Sequence, residues 1–299
     1  MRIVVPIKQV PETNAVKMDE ETGTMIREGV EAIINPLDLY AIEIAIRLAA
    51  AHGGRTVAVS MGPPKAASAL REAVAMGIDA AVLISDKAFA GSDTWATSYV
   101  LAAAIRKLEA DGFPAGPAGA EAAEAQSRRV RVAAGAGDPV GQGPADLIVC
   151  GERATDGDTG QVGPGMAAWL GRPVATYVSR VDSVSGGRVR VHRLVEDGYE
   201  VLDVQTPAVL TVVKEVAEPG LPTLRGKQKA KRMDLPTWGA DDLDVEEQSL
   251  GLNGSPTRVV RIFRPQVARE CEMLRATDEA GVAAAADRLA AFLQERDLL

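Results

Sequence analysis

Thiol and imidazole groups are scarce in this sequence: 299 residues carry two Cys and two His. Zinc sites, iron–sulfur clusters and disulfide scaffolds need clustered ligands, and Cys150 and Cys271 stand far apart without Cys-x-x-Cys spacing. This usage points to a reducing compartment. Aromatic residues make up only 4% of a chain that is 46% hydrophobic, so the core is built mainly from Ala, Val, Leu and Ile. A surplus of basic charge is also missing. Against 33 Lys and Arg stand 41 Asp and Glu, a net −8 that argues against broad binding to nucleic acid or anionic membrane. No apolar run approaches the roughly 20 residues of a membrane span, and the run after Met1 is too short for a signal peptide. The expectation is a soluble, cytoplasmic protein. Nucleophile signatures are lacking too, because Ser60, Ser98 and Ser255 have no Gly-x-Ser-x-Gly context and the two His have no catalytic partner.

What is present is an alternation of strand and helix signals. Short apolar runs at Ile3–Ile7, Thr56–Ser60, Ala81–Ser85, Leu147–Cys150 and Val174–Val178 read as buried strands. Between them lie helical patterns. Asn35-Pro36-Leu37-Asp38 reads as a cap, a first-turn proline and a first-turn acid, followed by Ala41, Ile44, Ala45 and Leu48 at helical spacing. Ala69, Leu70, Ala73 and Val74 mark a second helix. Ser92 or Asp93 caps a third from about Thr94 to Leu108, and a fourth lies near Gly163–Leu170. The pattern predicts an α/β fold with a doubly wound, mostly parallel sheet, whose ligands lie beyond the carboxyl ends of its strands. After Arg180 the alternating basic and apolar residues, with a turn at Ser185-Gly186-Gly187, predict an antiparallel extension over 180–213. Residues 112–144, rich in Ala, Gly and Pro, read as a flexible insertion. Residues 1–233 then form the α/β domain, and 234–299 a C-terminal extension ending in a helical arm with Val282, Ala285, Ala286, Leu289 and Phe292 on one face.

The most informative stretch runs from Gly151 to Pro164, between a strand and a helix, where backbone N–H groups converge and the helix dipole favours an anion. Gly157, Gly160 and Gly163 would let the backbone approach a pyrophosphate or ribose. It is neither a Walker loop nor Gly-x-Gly-x-x-Gly, so a nucleotide loop and a glycine-rich structural turn both remain open. Asp156 and Asp158 have the spacing of a calcium loop but not its other ligands, which favours capping or a ribose contact. A second feature is a cationic block, Arg225, Lys227, Lys229, Lys231 and Arg232, answered by six acids between Asp234 and Glu247. Taken alone it reads as a solvated basic turn.

Ala154–Pro164, Ala-Thr-Asp-Gly-Asp-Thr-Gly-Gln-Val-Gly-Pro, resembles the signature of the electron transfer flavoprotein beta subunit, usually Gln-Ala-Ile-Asp-Gly-Asp-Thr-Ala-Gln-Val-Gly-Pro. Ile7-Lys8-Gln9-Val10-Pro11, Ile34-Asn35-Pro36, Met61-Gly62-Pro63-Pro64, Ala75-Met76-Gly77 and Gly254-Ser255-Pro256-Thr257 occur in the same order as in that family. The resemblance covers nearly the whole chain apart from 112–144. It implies an obligate alpha-subunit partner and a bound nucleotide, AMP in ordinary members and a second FAD in the nitrogen-fixation-associated and electron-bifurcating ones. Ser85–Tyr99 resembles the latter subgroup, which implies that Asp93, Thr94 and Thr97 meet a flavin; without a ligand the same residues make a capped amphipathic helix.

Carried over position by position, the family's nucleotide contacts fall on Pro6, Asn35, Met61, Gly62, Gly151, Ala154, Asp156, Gly157, Asp158, Thr159, Gly160, Gln161 and Val162. The chain departs from the usual pattern at Pro6, Glu152-Arg153, Thr155 and Gly160. Pro6 has no N–H to offer, and Arg153 stands one place away from the usual Lys. Glu215–Arg225 resembles the family's recognition loop. Leu224 would then be the anchoring leucine, with Arg225 and Lys227 beside it to steer an acidic partner. The function implied is electron transfer between a dehydrogenase or NADH and a partner or quinone-linked oxidoreductase. In the bifurcating case ferredoxin or flavodoxin is the low-potential acceptor. The competing expectation is a non-redox AMP- or ATP-binding regulatory protein with a fold like that of universal stress proteins.

Overall fold

A computed structural model describes residues 1–12, 17–18, 25–26, 32–114, 143–260 and 271–298. They divide into two compact units, 1–260 and 261–299. The flexible insertion expected at 112–144 lies almost entirely outside the described residues.

In the first unit β1 (Arg2–Pro6) leads to short pieces, β2 (Gln9–Pro11), β3 (Lys17–Met18), β4 (Met25–Ile26) and β5 (Ala32–Ile34). Then come α1 (Asp38–Ala51), β6 (Arg55–Met61), α2 (Ala67–Met76), β7 (Ala80–Ile84), α3 (Thr94–Asp111), β8 (Leu147–Gly151) and α4 (Val162–Leu170). They are followed by β9 (Val174–Ser185), β10 (Arg188–Val195), β11 (Gly198–Gln205), β12 (Ala208–Val212), α5 (Leu224–Arg232) and β13 (Thr237–Trp238). One nine-stranded sheet has the order β11-β10-β9-β12-β8-β1-β6-β7-β13. From β9 to β13 every neighbouring pair is parallel, and β10 and β11 add an antiparallel ribbon. The fold is α/β with a mostly parallel sheet, as the alternation predicts.

Uniform apolar runs make the central strands. Every residue of β7 (Ala-Ala-Val-Leu-Ile) and of β12 (Ala-Val-Leu-Thr-Val) is buried, as a parallel strand covered on both faces requires. One core lies under α1 and α2, where Ile42, Ala45, Leu70, Ala73 and Val74 meet Ile3, Val5, Leu147 and Leu210. On the other face α3 and α4 bring Val100, Ala104, Ile105 and Met166 onto Val4, Val82, Ile148 and Val209.

Two sequence expectations need correction. Val201–Val213 is two strands that part at Thr206-Pro207. The second, β12, lies inside the parallel core between β9 and β8, so 180–213 is not wholly an antiparallel extension. β11 alternates or is exposed whereas β12 is buried throughout, and that difference sorts them. Residues 234–260, assigned to the C-terminal extension, belong to the first unit, with β13 closing the sheet edge beside β7.

The second unit carries α6 (Glu279–Gln294), capped by the Asp278 side chain accepting from the Gly281 N–H. Its Val282 and Leu289 are exposed.

Candidate functional site

The chain leaves β1 toward β6 on one side of the sheet and leaves β8 toward β9 and β12 on the other. β1 and β8 are neighbours, so their carboxyl ends flank a crevice at the point where the winding reverses, the place where open parallel sheets bind ligands. Pro6 closes β1 in the buried interior, and Met61 closes β6 with Gly62 bonded to the Ile84 carbonyl at 3.0 Å.

Asn35 does not cap α1. That helix begins at Asp38 after Leu37 with no side-chain cap, and the Asn35 amide reaches across the crevice instead. It donates to the Arg153 carbonyl at 2.9 Å and accepts from the Thr155 N–H at 3.1 Å. Ser, Thr or Asp would have served as well for a cap, but an amide that can both donate and accept satisfies two backbone groups of a distant loop. Three residues on, the buried Asp38 carboxylate accepts from the Lys8 N–H at 2.7 Å. Burial pushes its pKa up to about 7, against the opposing bonds from Lys8, Asn35 and Gly151 and the Lys8 charge. Burial, then the nearby Asp38, push the Cys150 thiol upward, so it remains protonated and packs as an apolar group.

The loop after β8 is anchored at its start by the Glu152 N–H on the Val212 carbonyl, 3.0 Å. It then turns on Ala154, whose carbonyl accepts from Gly157 at 3.3 Å and Asp158 at 2.7 Å. Asp156 pairs with Lys8 at 2.7 Å. Asp158, at φ 53°, pairs with Arg153 at 3.1 Å, so Arg153 is turned onto its own loop. Gly160 has φ +64°, a left-handed conformation that a side chain resists. Gly157 faces open space, while Thr159 and Gln161 are exposed. Gly163, read as a third point of ligand approach, has a packing role. A Cβ there would lie 2.4 Å from Thr211 Cγ2 and 3.1 Å from Cys150 Sγ, so its bareness seats α4 on the sheet. Val162 opens α4, the preceding Gln161 supplies no side-chain cap and Pro164 has no N–H, so the Val162 and Gly163 N–H groups are the first-turn donors left without a side-chain cap among the described residues.

The start of α3 comes to the same place: Thr94 Oγ1 is 3.5 Å from Gln161 Oε1, and Thr97 lies one turn further on, half-buried. Asp93 caps α3 and binds Thr257. Its carboxylate accepts from Trp95 N–H at 2.9 Å, Ala96 N–H at 3.1 Å, Thr257 N–H at 3.0 Å and Thr257 Oγ1 at 2.7 Å. Burial raises its pKa, and these donors outweigh that and hold it below the usual carboxylate value. Its own N–H donates to Ser255 Oγ at 2.8 Å, which joins Gly254-Ser255-Pro256-Thr257 to the α3 start.

A second surface lies around α5. Leu221 and Leu224 are exposed at 87% and 82%, among the most exposed large apolar side chains described, with Arg225 and Lys227 exposed beside them. Thr223 Oγ1 caps the helix by accepting from Gly226 N–H at 2.9 Å. Lys229 leaves the cationic block, donating to the Ile78 carbonyl at 3.1 Å, and burial lowers its pKa. α5 packs on α2, with Arg71 donating to the Ala230 and Met233 carbonyls, and a cavity of about 440 Å³ lies beside that contact, lined by Arg71, Glu72, Pro222, Lys227 and Lys231. It lies apart from the crevice.

The structure thus brings Pro6, Asn35, Met61, Gly62, Thr94, Thr97 and the Gly151–Val162 loop to one end of the sheet and leaves Leu224, Arg225 and Lys227 on a separate helix. The sequence places Lys8 in a candidate ligand loop, Pro6 to Thr13, but singles out neither Lys8 nor Asp38 as a member of the crevice; Lys8 lies two residues past the carboxyl end of β1, which was the available signal. Among the described residues no cluster of His, Cys, Asp and Glu could hold a metal, and no helix is long and apolar enough to cross a membrane.

The electron transfer flavoprotein domain family model matches residues 22–119 and 120–243. The chain is 41% identical over 290 residues to electron transfer flavoprotein subunit beta of Thermoanaerobacterium thermosaccharolyticum, covering 97% of this chain and 98% of the relative. It is 41% identical over 278 residues to caffeyl-CoA reductase-Etf complex subunit CarD of Acetobacterium woodii, covering 93% of each. Identity to the protein FixA of Azorhizobium caulinodans is 38% over 274 residues, covering 90% of this chain and 86% of the relative. With the parallel sheet, the glycine loop at its switch point and these matches along almost the entire length, the chain belongs to the electron transfer flavoprotein family, on its beta-subunit branch.

Proposed function

We propose that the crevice holds the adenosine phosphate end of FAD, with AMP as the alternative occupant, and that the chain works as the beta half of a heterodimer with an electron transfer flavoprotein alpha subunit. The observation that carries this reading is the meeting, at the switch point of the sheet, of a glycine loop pinned by Asn35 and the uncapped start of α4. Backbone N–H groups there suit a phosphate, and the open space at Gly157 suits a sugar or base. Thr94, brought beside Gln161, and Thr97, one turn further along α3, favour the longer occupant by offering hydroxyls to a ribityl chain. Asp93 serves that arrangement indirectly, by fixing the start of α3. A bound flavin supplies the acceptance and release of electrons singly or in pairs, and the protein's residues supply position and polarity.

The donor is NADH or a dehydrogenase, and the recipient an oxidoreductase, quinone-linked in the simple case. Ferredoxin or flavodoxin is the low-potential acceptor if the pair of electrons is split. Leu224, exposed and flanked by Arg225 and Lys227, has the form of a small apolar anchor with cations to steer an acidic surface. Co-expression with the alpha subunit, denaturation and quantification of released nucleotide tests the reading. Two FAD per heterodimer is the expected result. One FAD with one AMP assigns the mononucleotide to the crevice, and absence of flavin overturns the electron-transfer role.

A further inference from the structure

The ion pair between Lys8 Nζ and Asp156 Oδ1, 2.7 Å, crosses the switch-point crevice from the β1 side to the β8 side. It is not what holds either loop. The Lys8 main chain is fixed at both of its polar groups, its N–H on Asp38 Oδ2 at 2.7 Å and its carbonyl accepting from Asn35 N–H at 2.8 Å. Asn35 separately fixes the opposite loop through Arg153 and Thr155. With side chains 49% and 35% exposed, the pair is screened by solvent and adds little to the stability of the fold. Lys8 therefore has an anchored backbone and an ammonium free to change partner. Arg153, the loop's own cation, is engaged by Asp158 at 3.1 Å and Glu152 at 3.7 Å. The start of α4 beyond the loop favours negative charge.

We propose that Lys8 is the phosphate-binding side chain of the crevice and that Asp156 is its placeholder, surrendering the ammonium when the phosphate of an adenine nucleotide arrives. The inference rests on the nucleotide reading above. It gives the two members of one ion pair opposite roles: Lys8 attracts the ligand, while Asp156 competes for Lys8 and repels the incoming anion. A tether between loops would give them the same role.

Calorimetric titration of AMP into the alpha–beta heterodimer, emptied of nucleotide, separates these cases. Lys8→Met is expected to weaken AMP binding roughly tenfold to a hundredfold, the loss of a hydrogen bond to a charged group, and to flatten its salt dependence. Asp156→Asn is expected to bind AMP as tightly as the parent or severalfold more tightly. Lys8→Arg should restore part of the affinity. Thermal melting within a few degrees of the parent for all three excludes a folding defect as the cause. Equal weakening by Lys8→Met and Asp156→Asn overturns the proposal in favour of a tether, and so does unchanged affinity in Lys8→Met. FAD retained after co-expression distinguishes the dinucleotide from the mononucleotide, and Lys8→Met should lower whichever is retained. If the parent neither binds AMP nor releases FAD or AMP on denaturation, the nucleotide reading itself fails before any variant is compared.

Discussion

Two helices start at the same crevice and are finished differently. α3 opens on Asp93, whose carboxylate takes two N–H groups of its own helix and two donors from Thr257. α4 opens on Gln161, which makes no cap, behind a loop containing Gly157 and Gly160. Both sequences look like helix starts rich in small and polar residues, yet one end is closed by the chain itself and the other is open. An anion finds its donors at the end that the protein leaves uncapped, so a negative side chain at a helix start is a poor guide to a ligand site. Asp93 holds the α3 start and the 254–257 segment together.

The largest expected effect comes from closing the space on which α4 depends. Gly163→Val should cost about 3 kcal/mol or more, because its branches would enter Thr211 and Cys150, and should also abolish nucleotide retention. Urea unfolding of the purified chain measures the first and nucleotide release the second. If stability is unchanged, α4 is not seated as described.

Asp38 alters the pH profile. Its native pKa of about 7, against 3.8 for the free group, means that between those values the folded chain keeps a proton which the unfolded chain has lost. Its contribution therefore falls as pH rises from about 4 to about 7, by at most about 1.4 kcal/mol per pH unit, and is constant above. In Asp38→Asn that decline disappears from the difference between variant and parent stability curves. Parallel curves would show that Asp38 titrates normally.

Asp93→Ala sharpens the contrast between the two helix starts. It removes a cap and the Thr257 clamp, costing about 2 kcal/mol, and amide exchange should quicken at 254–257 and in the first turn of α3. Asp93→Asn should recover most of that stability. A smaller effect is expected at the surface. Leu224→Ala should change stability by less than about 0.5 kcal/mol while slowing electron transfer to the partner; unchanged partner kinetics would remove its anchor role.

Much of the fold was legible because strand burial and helix periodicity leave strong local signals. β7 reads as a continuous apolar run, and α2 carries Ala69, Leu70, Ala73 and Val74 at the right spacing. β12 was not separable from β11, since strand propensity does not tell which neighbour a strand will take. At the site, the glycine loop was legible from its place between a strand and a helix. The use of Asn35 was not, because an Asn before a helix has the same local appearance whether its amide caps that helix or reaches residues 118 and 120 positions away.

By itself, the sequence determined the α/β class, the positions of the principal strands and helices, and the family, all of which are written in local patterns and ordered motifs. Tertiary structure alone decided which polar side chains are spent and which are available. Asp93 is consumed by Thr257, Arg153 by Asp158 and Lys229 by Ile78, whereas Lys8 is fixed by its backbone and paired to Asp156 at the surface. A charged group's role depends on what stands within about 3 Å of it, and for Asp93, Lys229 and the Lys8 ammonium that neighbour comes from a chain segment 164, 151 and 148 positions away.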